Sequence, residues 1–158
     1  MPTMDRQALV DLGAITSNVA ALCGLVRGSQ VMAVVKADGY GHGMVPAARA
    51  ALAGGAAWLG VADLDEAVAL RRAGITAPVL CMMTFGDPAE AVRHDIDLAA
   101  GSAGYVAAVE AAAVRAGVQA RLHLKADTGL SRVVYLSRDG TALAAFHDGS
   151  DDLPPLEQ

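Results

Sequence analysis

Residues 30–43 read QVMAVVKADGYGHG. An apolar run of strand length stops abruptly at Lys36, and a turn with glycines at 39, 41 and 43 follows. Val45 to Ala53 then carries a helical pattern with Pro46 in its first turn. This is one βα unit, and the chain on either side repeats it. Ala57–Val61 reads as a strand and Leu64–Ala73 as a helix stopped by Gly74. Pro78–Met83 is the next strand and Pro88–His94 a short helix. Ile96–Ala100 is a strand, Ser102–Ala116 a helix with a serine cap and Gly117 as its stop, and Ala120–Lys125 a strand. Upstream, Gln7–Leu12 reads as a strand and Ile15–Val26 as a helix, with Thr16, Ser17 or Asn18 available near its start. From Val31 onward the strands recur every 18 to 26 residues, the spacing of βα units. Continuous apolar strands suit a parallel sheet covered by helices. Five such units make either an open doubly wound sheet or part of a (β/α)8 barrel. A whole barrel takes ~250 residues, and periodicity alone leaves the two architectures open.

Composition removes several classes of function. The 158 residues are 54% hydrophobic but only 4% aromatic, and alanine and glycine dominate, so the apolar content is small-residue packing. A net charge of −5 argues against nucleic-acid and anionic-membrane partners, and no basic run exceeds Arg71-Arg72. No window approaches ~18 uninterrupted apolar residues, so no membrane span is expected. The opening MPTMDRQALVDLG has neither the basic start nor the apolar stretch of a signal peptide, and a cytoplasmic location is the expectation. Cys23 and Cys81 lie far apart in apolar surroundings and read as buried free thiols. No Cys/His spacing suggests zinc, and no metal is expected.

Of the 12 basic residues only Lys36 and Lys125 are lysines, and each ends a predicted strand before a glycine-containing loop. The carboxyl ends of parallel strands are where active sites assemble in α/β folds. A lysine that loses solvation is driven toward its neutral form, the nucleophile that captures carbonyls and pyridoxal phosphate. The glycine turn leading into a helix is a candidate approach for a phosphate, with Tyr40 adding a hydroxyl; the same residues also fit an ordinary turn. The second segment reads LHLKADTGLSR (residues 122–132). His123 and Lys125 are two apart on a strand and share a face opposite Leu122 and Leu124. Arg132, beyond the turn at Gly129, has the planar fork that binds a carboxylate or phenolate. His123 reads first as a structural histidine and His42 as loop-ordering.

Together these segments resemble the alanine racemase family. VVKADGYGHG is similar to its pyridoxal-phosphate attachment motif, and LKADTGLSR to its second signature, written around K-x-D-T-G-M-G-R. WLGVADLDEAVALRRAGITAPVLCM and ALVDLGAITSNV resemble intervening and opening regions, so the likeness covers residues 7 to 132. It implies a pyridoxal-phosphate-dependent isomerase of alanine with an N-terminal (β/α)8 barrel, a C-terminal β domain and a head-to-tail homodimer. Lys36 matches the Schiff-base lysine and one of two acid/base groups; Tyr40 matches the tyrosine at the cofactor phosphate. Lys125 matches a position that is often carbamylated, an anion that would orient Arg132 toward the cofactor's phenolic oxygen and the substrate carboxylate.

The expectation is therefore a partial (TIM) barrel of about five βα units over residues 1–132. Residues 133–158, with one basic and five acidic side chains, are expected to form a divergent, poorly ordered tail. The family's C-terminal domain, which supplies the second base as a tyrosine from the partner subunit, has no counterpart in these 158 residues. The change at residue 133 is one that a frameshift or early stop would produce, and a chain so shortened is expected to be impaired on its own. Gly39, where alanine is common, and Ser131, where glycine is usual, are smaller departures. Other expectations are a serine, lysine or broad-specificity racemase, or a non-catalytic pyridoxal-phosphate-binding module. An open-sheet nucleotide binder is the reading from a different fold.

Overall fold

In a computed structural model the described residues are 8–26, 28–83 and 86–125. Arg132 and the acidic segment 133–158 lie outside them. Every strand expected from Val31 onward forms, shortened at its ends: β1 (Met32–Val34), β2 (Trp58–Val61), β3 (Val79–Cys81), β4 (Asp97–Ala100) and β5 (Leu122–Leu124). All neighbours are parallel, and the order across the sheet is β1-β2-β3-β4-β5.

That order, with the register, selects between the two architectures. Ala33 pairs with Leu59, Leu59 with Val79, Val61 with Cys81, Cys81 with Leu98, and Leu98 with Leu122. One row of side chains thus runs across the sheet on a single face. The same face packs with Ala47 and Ala48, with Leu64, Ala67, Val68 and Leu70, and with Ala91 and Val109, from four different helices, in one core. These are α3 (Met44–Ala53), α4 (Leu64–Arg72), α5 (Pro88–Arg93) and α6 (Ala103–Ala116). A doubly wound sheet reverses its strand order and carries helices on both faces. Sequential strands with every crossover helix on one face are the arc of a (β/α) barrel. Met32, Val34, Trp58, Leu80, Asp97 and His123 occupy the opposite face, the barrel's interior side.

Local chemistry sets the helix ends. Asp63, Asp87 and Ser102 each accept a backbone N–H from the first turn of α4, α5 and α6. Pro88 opens α5, Gly117 closes α6 in the left-handed conformation (φ 66°), and Arg71 and Arg72 lie in the last turn of α4. Arg71 also reaches four backbone carbonyls, those of Ile75, Ala77, His94 and Asp95. It joins the end of α4 to the entry of β4, satisfying groups that helix and sheet leave open.

The expected strand Gln7–Leu12 is corrected. Residues 8–11 carry no strand, Leu9 is 98% exposed, and Leu12 already begins α1 (Leu12–Leu25). The cause is Asp11, whose carboxylate accepts the Ala14 N–H at 3.1 Å and starts the helix earlier than Thr16, Ser17 or Asn18 would. Thr16 is interior to α1, with its hydroxyl 3.0 Å from the carbonyl of Ala50 on α3. Val19, Ala51 and Ala56 close this helix pair. Both cysteines are free; Cys81 is buried, whereas Cys23 is only half-buried. Among the described residues no helix is long and apolar enough to cross a membrane.

Candidate functional site

Lys36 follows β1 at its carboxyl end, where Val35 still donates its N–H to Gly60 at 2.8 Å. From there the chain enters the short segment α2 (Lys36–Tyr40), which is wound the wrong way for L-residues. Ala37, Asp38, Gly39 and Tyr40 have φ of 52°, 52°, 60° and 54°. Three of the four carry a Cβ, and left-handed winding costs such residues roughly 1–2 kcal/mol each. Hydrogen bonds hold the turn in place. Gly39 donates to Val35, Gly41 and Gly43 to the carbonyl of Asp38, and His42 to that of Gly39. The Asp38 carboxylate accepts the Met44 N–H at 2.7 Å, and His42 Nδ1 lies 2.8 Å from the Gly39 carbonyl. His42 is loop-ordering, as its place in the sequence suggests.

These bonds correct the phosphate reading of the glycine turn. The N–H groups of Gly39, Gly41, His42, Gly43 and Met44 all point back into the segment. The amino end of α3 is capped by Asp38 from within, so the glycines make a tight turn rather than an anion cradle. Gly43, at φ 85°, is needed for that turn, because a Cβ there would lie 2.8 Å from Pro46.

The turn brings Lys36 and Tyr40 together: Lys36 Nζ lies 4.9 Å from the centre of the Tyr40 ring, within cation–π range. Tyr40 is 69% exposed, so the pair sits at the mouth of the site rather than in the core. Among the described residues no carboxylate forms a salt bridge with Lys36. Behind the turn lies a largely apolar crevice of about 280 Å³, between Ile15 and Val19 of α1, Ala33 and Val35 at β1, and Ala47 and Ala51 of α3.

Lys125 continues the ladder of β5, its N–H donating to the Ala100 carbonyl at 2.8 Å. Both lysines therefore stand at carboxyl ends of strands in one sheet. His123, two residues before Lys125, faces the barrel's interior side. Its Nε2 lies 3.0 Å from Asp97 Oδ2 and its ring meets Trp58 edge-on at 5.5 Å. The other Asp97 oxygen accepts from Arg121 Nε and Nη2, each at 2.7 Å, and Arg121 also reaches Asp95 at 2.8 Å. These carboxylates hold the Arg121 guanidinium well above its ordinary pKa, first through Asp97 and then Asp95. Asp97 is fully buried and its charge fully partnered, which makes this trio a brace of the β4–β5 register. The sequence reading placed His123 as structural but missed Asp97, whose partners lie 24 and 26 residues away.

A (β/α) barrel arc with a lysine-and-tyrosine turn at the carboxyl end of its first strand defines a lysine-bearing barrel domain. The chain belongs to the family described as alanine racemase, N-terminal domain, whose profile matches residues 10–147. Among its relatives, the alanine racemase of Thermobifida fusca is 55% identical over 141 residues, 88% of this chain and 38% of that protein. That of Mycolicibacterium smegmatis is 50% identical over 133 residues, 83% of this chain and 34% of the relative. Among solved structures, alanine racemase from Streptomyces coelicolor A3(2) superposes with a TM-score of 0.74 at 43% identity, covering 86% of this chain and 39% of its own. The Bacillus anthracis enzyme, solved with bound L-Ala-P, gives 0.72 at 37% identity, covering 87% and 36%. The chain thus spans little more than a third of the length of these relatives.

Proposed function

We propose that this chain supplies the lysine-bearing part of a pyridoxal-phosphate-dependent racemase acting on alanine. The observation that carries the reading is the Lys36–Tyr40 turn: an amine at the carboxyl end of β1, half-buried, beside an aromatic ring and without a carboxylate partner among the described residues. Such an amine suits the cofactor's aldehyde, because no ion pair has to be broken before its nitrogen can act as a nucleophile. Lys36 would hold the cofactor through Nζ, and Tyr40 would meet its phosphate through the phenol. When bound, pyridoxal phosphate accepts the electron pair left on an amino acid's Cα after loss of its proton.

Lys36 Nζ would take or return that proton on one face of the substrate. Racemisation requires a base on the opposite face as well, and that group is assigned to a second subunit of a homodimer. Lys125, as a carbamate, would supply the anion that steadies Arg132, and Arg132 would place the substrate carboxylate. Supply of D-alanine for peptidoglycan, in the cytoplasm, is the setting this reading implies.

The test is capture of the cofactor. Pyridoxal phosphate added to the folded chain, followed by borohydride reduction and peptide mapping, should label Lys36 in preference to Lys125. A visible absorbance band should appear and vanish in Lys36→Ala. Equal labelling of both lysines, or a band that survives Lys36→Ala, overturns the assignment. Activity is read as D-alanine formed from L-alanine by the protein as it occurs in the cell, and it should be lost in Lys36→Ala.

A further inference from the structure

The sequence Asp63-Leu64-Asp65-Glu66 has the spacing of a capping box, in which the third helical residue returns its side chain to the N–H of the capping residue. Asp63 performs its half, accepting the Glu66 N–H at 3.0 Å. Glu66 does not perform the other. One oxygen of its carboxylate accepts the Ala62 N–H, just beyond β2, at 2.8 Å. The other accepts the N–H of Ala37, 29 residues away in sequence.

Ala37 directly follows Lys36 and is the first residue of the left-handed turn. The Lys36–Ala37 peptide is planar, so fixing its N–H fixes the rotation ψ of Lys36 itself. The other hydrogen bonds of the turn described above close within residues 35–44. The Glu66 contact ties the turn to the next βα unit, and it does so with an ionised acceptor, the stronger kind.

We propose that Glu66 is a positioning residue for Lys36, setting the direction in which the lysine leaves the strand by holding the following N–H. The role rests on the reading of Lys36 as the cofactor lysine. Each oxygen of Glu66 is turned to a backbone donor, so its action on Lys36 runs through the turn, which separates this role from acid/base work.

The two lysines make the test internal to one sample, run on protein freed of carbon dioxide so that the Lys125 nitrogen is a free amine. The ratio of Lys36 to Lys125 labelling by pyridoxal phosphate and borohydride is compared in wild type, Glu66→Ala, Glu66→Gln and Asp65→Asn. Loss of a charge-assisted hydrogen bond should lower the ratio roughly tenfold or more in Glu66→Ala. Glu66→Gln, which offers one oxygen instead of two, should fall between. Asp65→Asn removes the same charge from the neighbouring exposed position and should leave the ratio unchanged. Amide exchange should quicken at Ala37 and Ala62 in Glu66→Ala while the β4–β5 ladder stays protected. A merely structural role would lower the melting temperature without moving the ratio in protein that is still folded. If Glu66→Ala does not fold, Glu66→Gln carries the comparison. A selective wild type with equally selective Glu66 variants overturns the role of Glu66 alone. A wild type that labels both lysines alike overturns the reading of Lys36 and this proposal with it.

Discussion

Asp97 is where removing one group should cost this domain most, and the structure gives the size of the effect. Its Oδ1 takes two bonds from Arg121, and its Oδ2 faces His123 Nε2 at 3.0 Å, all with the carboxylate buried. Asp97→Asn keeps the shape. An amide oxygen in place of Oδ1 still accepts from Arg121, and the amide nitrogen can donate to His123 in the tautomer that carries its proton on Nδ1. What is lost is the charge on the acceptor. Charge-assisted bonds are about twice as strong as neutral ones, so a loss of about 1–2 kcal/mol is expected. Asp97→Ala removes all three bonds. Breaking a fully buried ion pair costs about 3–5 kcal/mol. Here the Arg121 side chain is 49% exposed and keeps Asp95, and the His123 side chain is 40% exposed. Both can be rehydrated, which lowers the expectation to about 2–4 kcal/mol. Urea unfolding followed by fluorescence of Trp58, the single tryptophan, reads the site directly because its indole abuts His123. An Asp97→Ala variant within about 0.5 kcal/mol of wild type, the range of ordinary surface substitutions, would refute the view that this trio braces the sheet. An Asn variant as costly as the Ala variant would refute the expected split, since the charge alone would then carry the whole loss and the retained hydrogen bonds none of it.

Two further expectations concern packing and protonation. A Cβ at Gly54 would lie 2.5 Å from the Thr16 carbonyl and 2.9 Å from Val19 Cβ, so Gly54→Ala should push α1 off α3 and cost about 1–3 kcal/mol in thermal unfolding. Gly74→Ala is the control: nothing lies within 4 Å, and only the strain of φ 81° remains, about 1 kcal/mol. Equal losses would show that the α1–α3 approach is not tight. Burial pushes the Cys81 thiol up to about 11 from 9.0. The native state therefore holds this proton more tightly than the unfolded chain does. The resulting stability is complete below pH 9.0 and is lost as pH rises through about 11. Cys81→Ala should flatten the fall in the unfolding midpoint across that window, and at neutral pH alkylation should reach half-buried Cys23 well before Cys81. A Cys81 that is alkylated as fast as Cys23 in folded protein would contradict the burial argument.

Much of this fold is legible residue by residue. Ser102 and Gly117 bound α6 because capping is chemistry among residues three or four apart, and the strands after Val31 are marked by unbroken apolar runs between turn residues. The expected N-terminal strand does not form because a short apolar run, Ala8-Leu9-Val10, fits an exposed lead-in equally well, and the decisive group is the single carboxylate of Asp11. At the site, Lys36 and Lys125 stand out by rarity and by their place at strand ends. The left-handed path of Ala37, Asp38 and Tyr40 does not, since none of these is the glycine that such a backbone advertises. Glu66 and Asp97 carry no local mark at all, one reading as half of a capping box and the other as a polar interruption of a strand.

The sequence by itself determined the alternation of strand and helix, the ends of most elements, the parity that places His123 opposite Leu122, and the position of both lysines where strands give way to loops. These follow from interactions between residues a few places apart, whose period is written along the chain. Only the tertiary structure decided that the strands run in sequential order with α3 to α6 on one face, making a barrel arc rather than an open doubly wound sheet. It also decided that the carboxylate of one βα unit holds the turn of another. Those choices rest on contacts 17 to 29 residues apart, and a pairing across such a distance has no period for the sequence to display.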